Sequence, residues 1–395
     1  MRSPSALALA PRIGHSESVS LDDHCVQEVR LPVPHLDEVD RKKTALRRSL
    51  LAWFRRHARD LPWRRTKDPY CVWLSEIMLQ QTRVETVIPY YERFTAAFPT
   101  VHDLAAATGD EVLKLWEGLG YYSRARNLHT AAKIVVEQFD GRFPEDAQAL
   151  QQLPGLGRYS AGAVASIAFG QPVPVLDGNV RRVLTRVFAI GRQADDPELT
   201  KALWFLAERL VAPRTPGNFN QALMELGALV CAPETPDCDH CPLRRHCDAH
   251  RRGLQSELPL RKGKKSIPHF EVVAAALEHD GRYLFAKRPT TAMLGGLWEL
   301  PGGKVKAGEP HPQALRRELV EKLGVELDVG DLAATVVHRY THFYITLYVY
   351  RGSLQAGTPE AREHDELKWL SPGEIGQYAL PTSTRKALAR IVGAV

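Results

Sequence analysis

The chain has 395 residues, enough for two or three domains with cores of their own. Hydrophobic residues make up 44% and charged residues 25%, the balance of a globular protein, and no apolar run approaches the ~18 residues of a membrane-spanning helix. A net charge of +6 suits a nucleic-acid partner but is too mild to demand one. Residues 1–40 mix Ser, Pro, His and both charges without a sustained period, and are expected to form a disordered leader. ALALAPRIG is too short for a signal peptide, and the early acids Glu17, Asp22 and Asp23 argue against an organelle transit peptide. Residues 41–252 are expected to be helical. KTALRRSLLAWFRRHA has apolar residues at helical spacing, and LPW at 61–63 breaks it. Asp68 and Pro69 signal a new start for DPYCVWLSEIMLQQTRVETVIPYYERFTAAF. DEVLKLWEGL and RARNLHTAAKIVVEQF are further amphipathic helices, and NFNQALMELGALVC leads into crowded cysteines. Residues 253–267, basic with Gly and Pro, read as a linker. From 268 to 395 the pattern changes: FEVVAAALEH and RYLFAKR are strands around an Asp280-Gly281 turn, HPQALRRELVEKLG is a helix, and LAATVVHRYTHFYITLYVYRGSL is strand-rich.

LPGLG, residues 153–157, lies between helical stretches. Gly155 and Gly157 permit close backbone approach, and the N–H groups at the next helix start, from Arg158 onward, can hold a phosphate. The same residues also suit a plain turn. Asp177, in VPVLDGNVRRVLTR, suits a turn or helix cap as well as a chemical role. Cys231, Cys238, Cys241 and Cys247 have the spacing C-x6-C-x2-C-x5-C, which suits a [4Fe–4S] cluster or zinc; zinc ribbons usually carry two C-x2-C pairs, and here there is one. A tight cluster in so long a chain is not a secreted disulfide scaffold. Glu76 sits among Trp73, Leu74, Ile77, Met78 and Leu79, with Ser75, Gln80 and Gln81 interrupting the apolar run. Buried there, it would be kept protonated by desolvation; on an outer face it would be an ordinary surface glutamate.

Together these features resemble the endonuclease III superfamily of DNA glycosylases. LPWR, WLSEIMLQQTRVETVIPYY, GLGYYSRARNLH and LDGNVRRVL resemble, within it, the adenine DNA glycosylases that remove adenine mispaired with 8-oxoguanine, continuously over residues 45–250. The resemblance implies a multidomain chain: an all-α helix-hairpin-helix glycosylase region with an iron–sulfur cluster loop, then an α+β Nudix-like domain. It implies a monomer acting on double-stranded DNA with A opposite 8-oxoguanine or G, away from membranes and, in a bacterium, in the nucleoid-bearing cytoplasm. The four cysteines would hold a [4Fe–4S] cluster, with Arg244 and Arg245 near phosphate. Such an enzyme flips its base out of the duplex. Glu76 would protonate the adenine at N7 and help activate water, Asp177 would stabilise or add to the sugar cation, and Tyr159 would assist both. Relatives that also cut the strand place a lysine at the Tyr159 position to form a Schiff base, which tyrosine cannot do. Trp63, Arg64 and Gln221 match the adenine pocket. Gln81, Leu119 and Tyr121 match residues that fill or wedge the duplex, and Gly155, Gly157 and Arg158 contact its backbone. A bifunctional endonuclease III-like lyase is disfavoured by Tyr159. A non-catalytic iron–sulfur DNA-binding module is disfavoured by the presence of both carboxylates.

GGKVKAGEPHPQALRRELVEKLGV resembles the Nudix box: Gly303, Glu309, Arg317, Glu318, Leu319, Glu321, Gly324 and Val325 fit, and Lys322 stands where a second adjacent glutamate is expected. A lysine there removes a metal ligand and repels a divalent cation. Lys322 thus argues against an active nucleotide hydrolase, and the resemblance to adenine DNA glycosylases, which carry such a domain, implies that it recognises 8-oxoguanine through the YTHF loop, at Tyr340, Thr341 and His342.

Overall fold

The computed structural model describes residues 36–260 and 266–393. The first segment is helical: α1 (Leu36–His57), α2 (Pro69–Leu79), α3 (Val84–Ala97), α4 (Val101–Ala106), α5 (Gly109–Trp116), α6 (Ser123–Phe139), α7 (Ala147–Leu150), α8 (Arg158–Ile167), α9 (Gly178–Val187), α10 (Pro197–Leu210), α11 (Pro216–Leu229) and α12 (Asp248–Arg252). No helix among the described residues is long and apolar enough to cross a membrane.

The helices build two cores. Trp73, Met78, Phe94, Trp116 and Leu128, from α2, α3, α5 and α6, anchor one; Leu50, Val183, Leu203, Phe219 and Leu226, from α1, α9, α10 and α11, anchor the other. α8 belongs to both, turning Ala161, Val164 and Ala165 to the first and Ala163 to the second. The seam between the cores is where residues far apart in sequence converge.

Three boundaries differ from the sequence expectation. α1 is already helical at Leu36, the first described residue, ahead of the expected boundary at 41; Val39 is fully buried in it and Lys42 reaches Asp248 at 2.7 Å. The long apolar stretch after Pro69 is two helices, broken where Gln81 takes a positive φ of 57°. The Arg124 guanidinium takes the carbonyls of Ile77, Met78 and Gln80, so the chain cannot use them to continue α2. Residues 253–260, read as linker, pack instead: Leu258 is 4% exposed beside Ala189 and Ala249, and its carbonyl accepts from Arg186 Nε at 2.8 Å. Of the expected leader, residues 1–35 lie outside the described residues, as do 261–265 of the expected linker.

The second segment is a seven-stranded mixed sheet between helices. Its strands are β1 (His269–His279), β2 (Arg282–Lys287), β3 (Trp298–Glu299), β4 (Gly302–Lys304), β5 (Glu326–Arg339), β6 (Tyr344–Ala356) and β7 (Glu366–Leu370); its helices are α13 (His311–Leu323), α14 (Pro372–Ile375) and α15 (Thr382–Ile391). β1 pairs with β6 in parallel and the other pairings are antiparallel, in the order β3-β2-β1-β6-β5, with β4 on β1 and β7 on β2. The run VVAAAL in β1 is apolar throughout because both faces are covered. Val273, Ala275 and Leu277 face α13, while Ala274 and Ala276 lie on the side packed by α15. Asp280 and Gly281, both at positive φ, make the expected turn between β1 and β2.

Candidate active site

α2 starts cleanly: the Asp68 carboxylate accepts from Tyr70 N at 2.9 Å and Pro69 occupies the first turn. Almost every later residue of α2 is buried, so Glu76 is carried into the interior and is 5% exposed. It meets residues from the other side of the seam. The Tyr159 hydroxyl, from α8, donates to Glu76 Oε2 at 2.7 Å and lies 3.2 Å from Met224 Sδ on α11. Asp177 caps α9, accepting from Val180 N at 2.7 Å and from Asn179 Nδ2 at 2.9 Å. Capping and chemistry are thus not alternatives for this residue, since the cap fixes where the carboxylate points. Burial pushes the Glu76 carboxyl up to about 7; Tyr159 opposes this, and the like charge of Asp177 adds to it. Burial also raises Asp177, against the pull of its donors. The Tyr159 phenol is held well above its ordinary range by burial and by both carboxylates, so it stays protonated and donates.

The same pocket, about 160 Å³, is lined by Trp63, Arg64, Glu76, Tyr159, Asp177 and Gln221. All six expected catalytic and base-pocket residues therefore converge. Two partners in it were not foreseen. Glu225, 1% exposed, binds Arg59 and Arg64 at 2.7 and 2.9 Å. Burial alone would raise its carboxyl, but the two guanidinium groups hold it at about 2. This ionised carboxylate fixes Arg64, whose Nε reaches Gln221 Oε1 at 3.2 Å. A glutamate on the apolar α11, one turn after Gln221, was the available signal.

The profile of the HhH-GPD superfamily base excision DNA repair proteins matches residues 74–209, and that of the NUDIX domain matches residues 272–390. An adenine DNA glycosylase of Homo sapiens is 40% identical over 404 residues, covering 87% of this chain and 73% of the relative. One of Buchnera aphidicola subsp. Acyrthosiphon pisum is 32% identical, covering 86% and 95%. The chain belongs to the adenine DNA glycosylases. A solved structure of a thermostable thymine-DNA glycosylase, 32% identical, covers 55% of this chain and all of its own with a TM-score of 0.50. Adenine DNA glycosylases are hydrolases of N-glycosyl bonds that serve base excision repair.

Around the pocket mouth, the residues expected to meet DNA do not behave alike. Gln81 and Tyr121 both hold positive φ, 57° and 46°, a conformation costing a non-glycine residue about 1 kcal/mol or more. Arg124, 8% exposed, imposes it on both loops: besides the α2 carbonyls, it takes those of Leu119 and Gly120 at 3.3 and 3.1 Å. Gln81, Tyr121 and Gly155 line one depression. Gly155 has φ 83° and needs to be glycine, whereas Gly157 has an ordinary φ and caps α8, with open space where a Cβ would stand. Arg158 is exposed and lies over the Trp204 ring at 4.0 Å. Leu119 lines the same cleft as Gln81 and Tyr121 but is only 6% exposed and packs against the helical core. Gln81 is exposed at the depression, whereas Tyr121 is half-buried, its hydroxyl enclosed and its ring 5.6 Å from the Arg124 guanidinium.

Cys231, Cys238, Cys241 and Cys247 line one cavity with Val183, Leu226, Val230 and Leu243. Among the described residues, no group of three or more His, Cys, Asp or Glu is disposed to hold a single metal ion. The thiols are instead spread around a shared space. Arg186, 1% exposed, donates to the Leu258, Ala232 and Pro233 carbonyls and to Cys231 Sγ at 3.3 Å. A buried guanidinium bonded to neutral groups calls for an anion beside it, which thiolates around a cluster would be. The residues therefore fit the group.

In the Nudix-like domain, Lys322 donates to the Gly302 carbonyl at 2.7 Å and pairs with Glu318 at 2.8 Å. Arg317 binds Glu309 through two bonds of 2.8 Å and Glu318 through one of 2.7 Å. The carboxylates that resemble metal ligands are thus already neutralised. Nearby, Tyr340 is stacked on Phe343 and bonded to Ser383 Oγ at 3.0 Å, which leaves Thr341 and His342 as the exposed tip of the expected lesion-reading loop.

Proposed function

We propose that this glycosylase removes adenine mispaired with 8-oxoguanine, and more weakly adenine opposite G, by acid-assisted cleavage in the seam pocket. One observation carries the reading: a buried glutamate held near neutral pH touches the tyrosine and faces the aspartate that the chemistry requires. With its carboxyl at about 7, Glu76 is about half protonated at neutral pH. At its ordinary value it would be almost wholly ionised. Adenine enters the pocket flipped from the duplex. Glu76 gives its proton to N7, the bond from N9 to the sugar breaks, and the bonding pair leaves with the base. Positive charge develops on the sugar, where the Asp177 carboxylate stabilises it or closes on it. Water then adds to that carbon, its proton passing to Glu76, and an abasic sugar remains. Tyr159 holds Glu76 in place. It carries no amine, so no Schiff base forms and the strand stays intact.

The proposed [4Fe–4S] cluster, held by Cys231, Cys238, Cys241 and Cys247, would tie the 231–247 loop together. Arg186 would balance its charge, and the exposed Arg244 and Arg245 would meet phosphate. The Nudix-like domain reads the opposite base through Thr341 and His342 and does not hydrolyse nucleotides, because Lys322 occupies the place of a metal ligand. The reading is tested with duplexes carrying A opposite 8-oxoguanine, G, C and T. Release fastest opposite 8-oxoguanine, slower opposite G and slowest opposite C and T is expected, with no enzyme trapped on DNA by borohydride. Release independent of the opposite base contradicts the specificity, and efficient trapping contradicts the monofunctional chemistry.

A further inference from the structure

The helical region and the Nudix-like domain meet where α5 ends. Glu117, at that end, has a side chain only 15% exposed although it lies on a loop. Its Oε1 accepts from Arg385 Nε at 2.9 Å, from Arg385 Nη2 at 2.6 Å and from Leu380 N at 3.0 Å. Its Oε2 pairs with Lys114 at 2.8 Å, and Lys114 also reaches the Tyr378 carbonyl. Its backbone carbonyl accepts from the Tyr90 hydroxyl at 2.8 Å. The next residue, Gly118, has φ 99° and no room for a Cβ against Tyr90, so the chain turns there in one way only. Leu119, Gly120 and Tyr121 follow. The loop that carries Tyr121 is therefore fastened, at its first residue, to the other domain.

The opposite end of the contact is equally specific. Arg385 stands in the first turn of α15. In that same turn Ser383 bonds the Tyr340 hydroxyl, and Tyr340 roots the loop whose tip is Thr341 and His342. Pro381 and Thr382, Tyr340 to Phe343, and Gln81 and Tyr121 line one cleft between the domains. One helical turn thus touches the lesion-reading loop on one side and the base of the Tyr121 loop on the other.

We propose that the Glu117–Arg385 contact couples recognition of the base opposite adenine to insertion of Tyr121 into the duplex. Both are positioning residues. When the 340–342 loop closes on 8-oxoguanine, Tyr340 and Ser383 set the first turn of α15, and Arg385 holds Glu117 and the Tyr121 loop in the inserted register. Opposite an undamaged G the loop gains less, and the contact transmits less. The domains do not depend on this pair to stay docked: Lys287 binds Asp110 at 2.8 Å, Arg126 donates to the Gly295 carbonyl at 2.6 Å, and Leu297 and Ala379 enter the helical core. The proposal rests on the reading that this enzyme prefers 8-oxoguanine as the opposing base.

The test uses the full-length protein and single-turnover adenine release opposite 8-oxoguanine and opposite G, for wild type, Arg385→Gln, Glu117→Gln and the double variant. Each single substitution is expected to slow release opposite 8-oxoguanine about tenfold. Release opposite G should change by about twofold at most, and the double variant should be no slower than either single one. Equal losses on both duplexes, an additive loss in the double variant, or no loss at all overturns the coupling. Arg385→Lys, which keeps the charge, replaces Arg385→Gln if the latter fails to melt cooperatively. A wild type with no preference for 8-oxoguanine overturns the functional reading beneath the proposal. A preference retained by every variant overturns the coupling alone.

Discussion

Glu76 and Glu318 are two buried glutamates on two helices, 5% and 7% exposed, and their chemistry is opposite. Burial raises both. At Glu76 only a neutral phenol and a distant Arg64 oppose it, Asp177 reinforces it, and the carboxyl rises to about 7. At Glu318 the ammonium of Lys322 and the guanidinium of Arg317 overcome the desolvation, and the carboxyl is driven below its usual range. The first can hold a proton near neutral pH, and the second stays ionised between two cations. Residue type and depth do not distinguish them, but the charge of the nearest partner does.

The comparison can be broken most severely at Glu225, the catalytic pocket's own quenched carboxylate. Glu225→Gln removes the buried anion shared by the half-buried Arg59 and Arg64, and is expected to destabilise the protein by about 2 kcal/mol. Release of adenine should also slow about tenfold as Arg64 loses its position. Chemical unfolding and single-turnover assays read the two effects. The acid role of Glu76 is sharpened by pH. Its raised carboxyl keeps the proton below about 7 and loses it above, so the adenine-release rate should level off below that pH and fall by up to about tenfold per unit above it. A rate that rises with pH there would assign the essential form to the carboxylate instead. The smallest effect on adenine release is expected at Lys322. Lys322→Glu removes one of the two cations on Glu318 and adds a carboxylate beside it, and calorimetry should detect Mg²⁺ binding at roughly millimolar affinity where the wild type shows none. Adenine release should change by less than about twofold, the site being remote from the seam pocket.

Much of the local organisation was legible because its signals are short-range. Asp68-Pro69 announces α2, Asp280-Gly281 announces a hairpin, and the cysteine spacing and the Nudix box lie within single segments. The convergence of Glu76, Tyr159, Asp177 and Gln221 was legible only through family resemblance, since no local rule places two helical cores against one another. What was missed depends on pairing at a distance. Arg124 ends α2 from α6, with three helices between them, and although Gln80 and Gln81 interrupt the apolar run, nothing there says that the helix stops at them. Glu225 gains its meaning from Arg59 and Arg64, and Glu117 from Arg385 in another domain. Residues 253–260 read as linker because the lysines and arginine just beyond them dominate the composition, while Leu258 packs beneath. Leu119, in turn, shows that matching a motif position does not expose a side chain.

The central claim is that the two carboxylates of the seam pocket carry out the reaction. Single-turnover release of adenine opposite 8-oxoguanine, compared among wild type, Glu76→Gln and Asp177→Asn, tests it most directly. Each substitution should slow release by about 10³-fold while leaving duplex binding within a few-fold of wild type. Release at the wild-type rate by either variant would contradict the account.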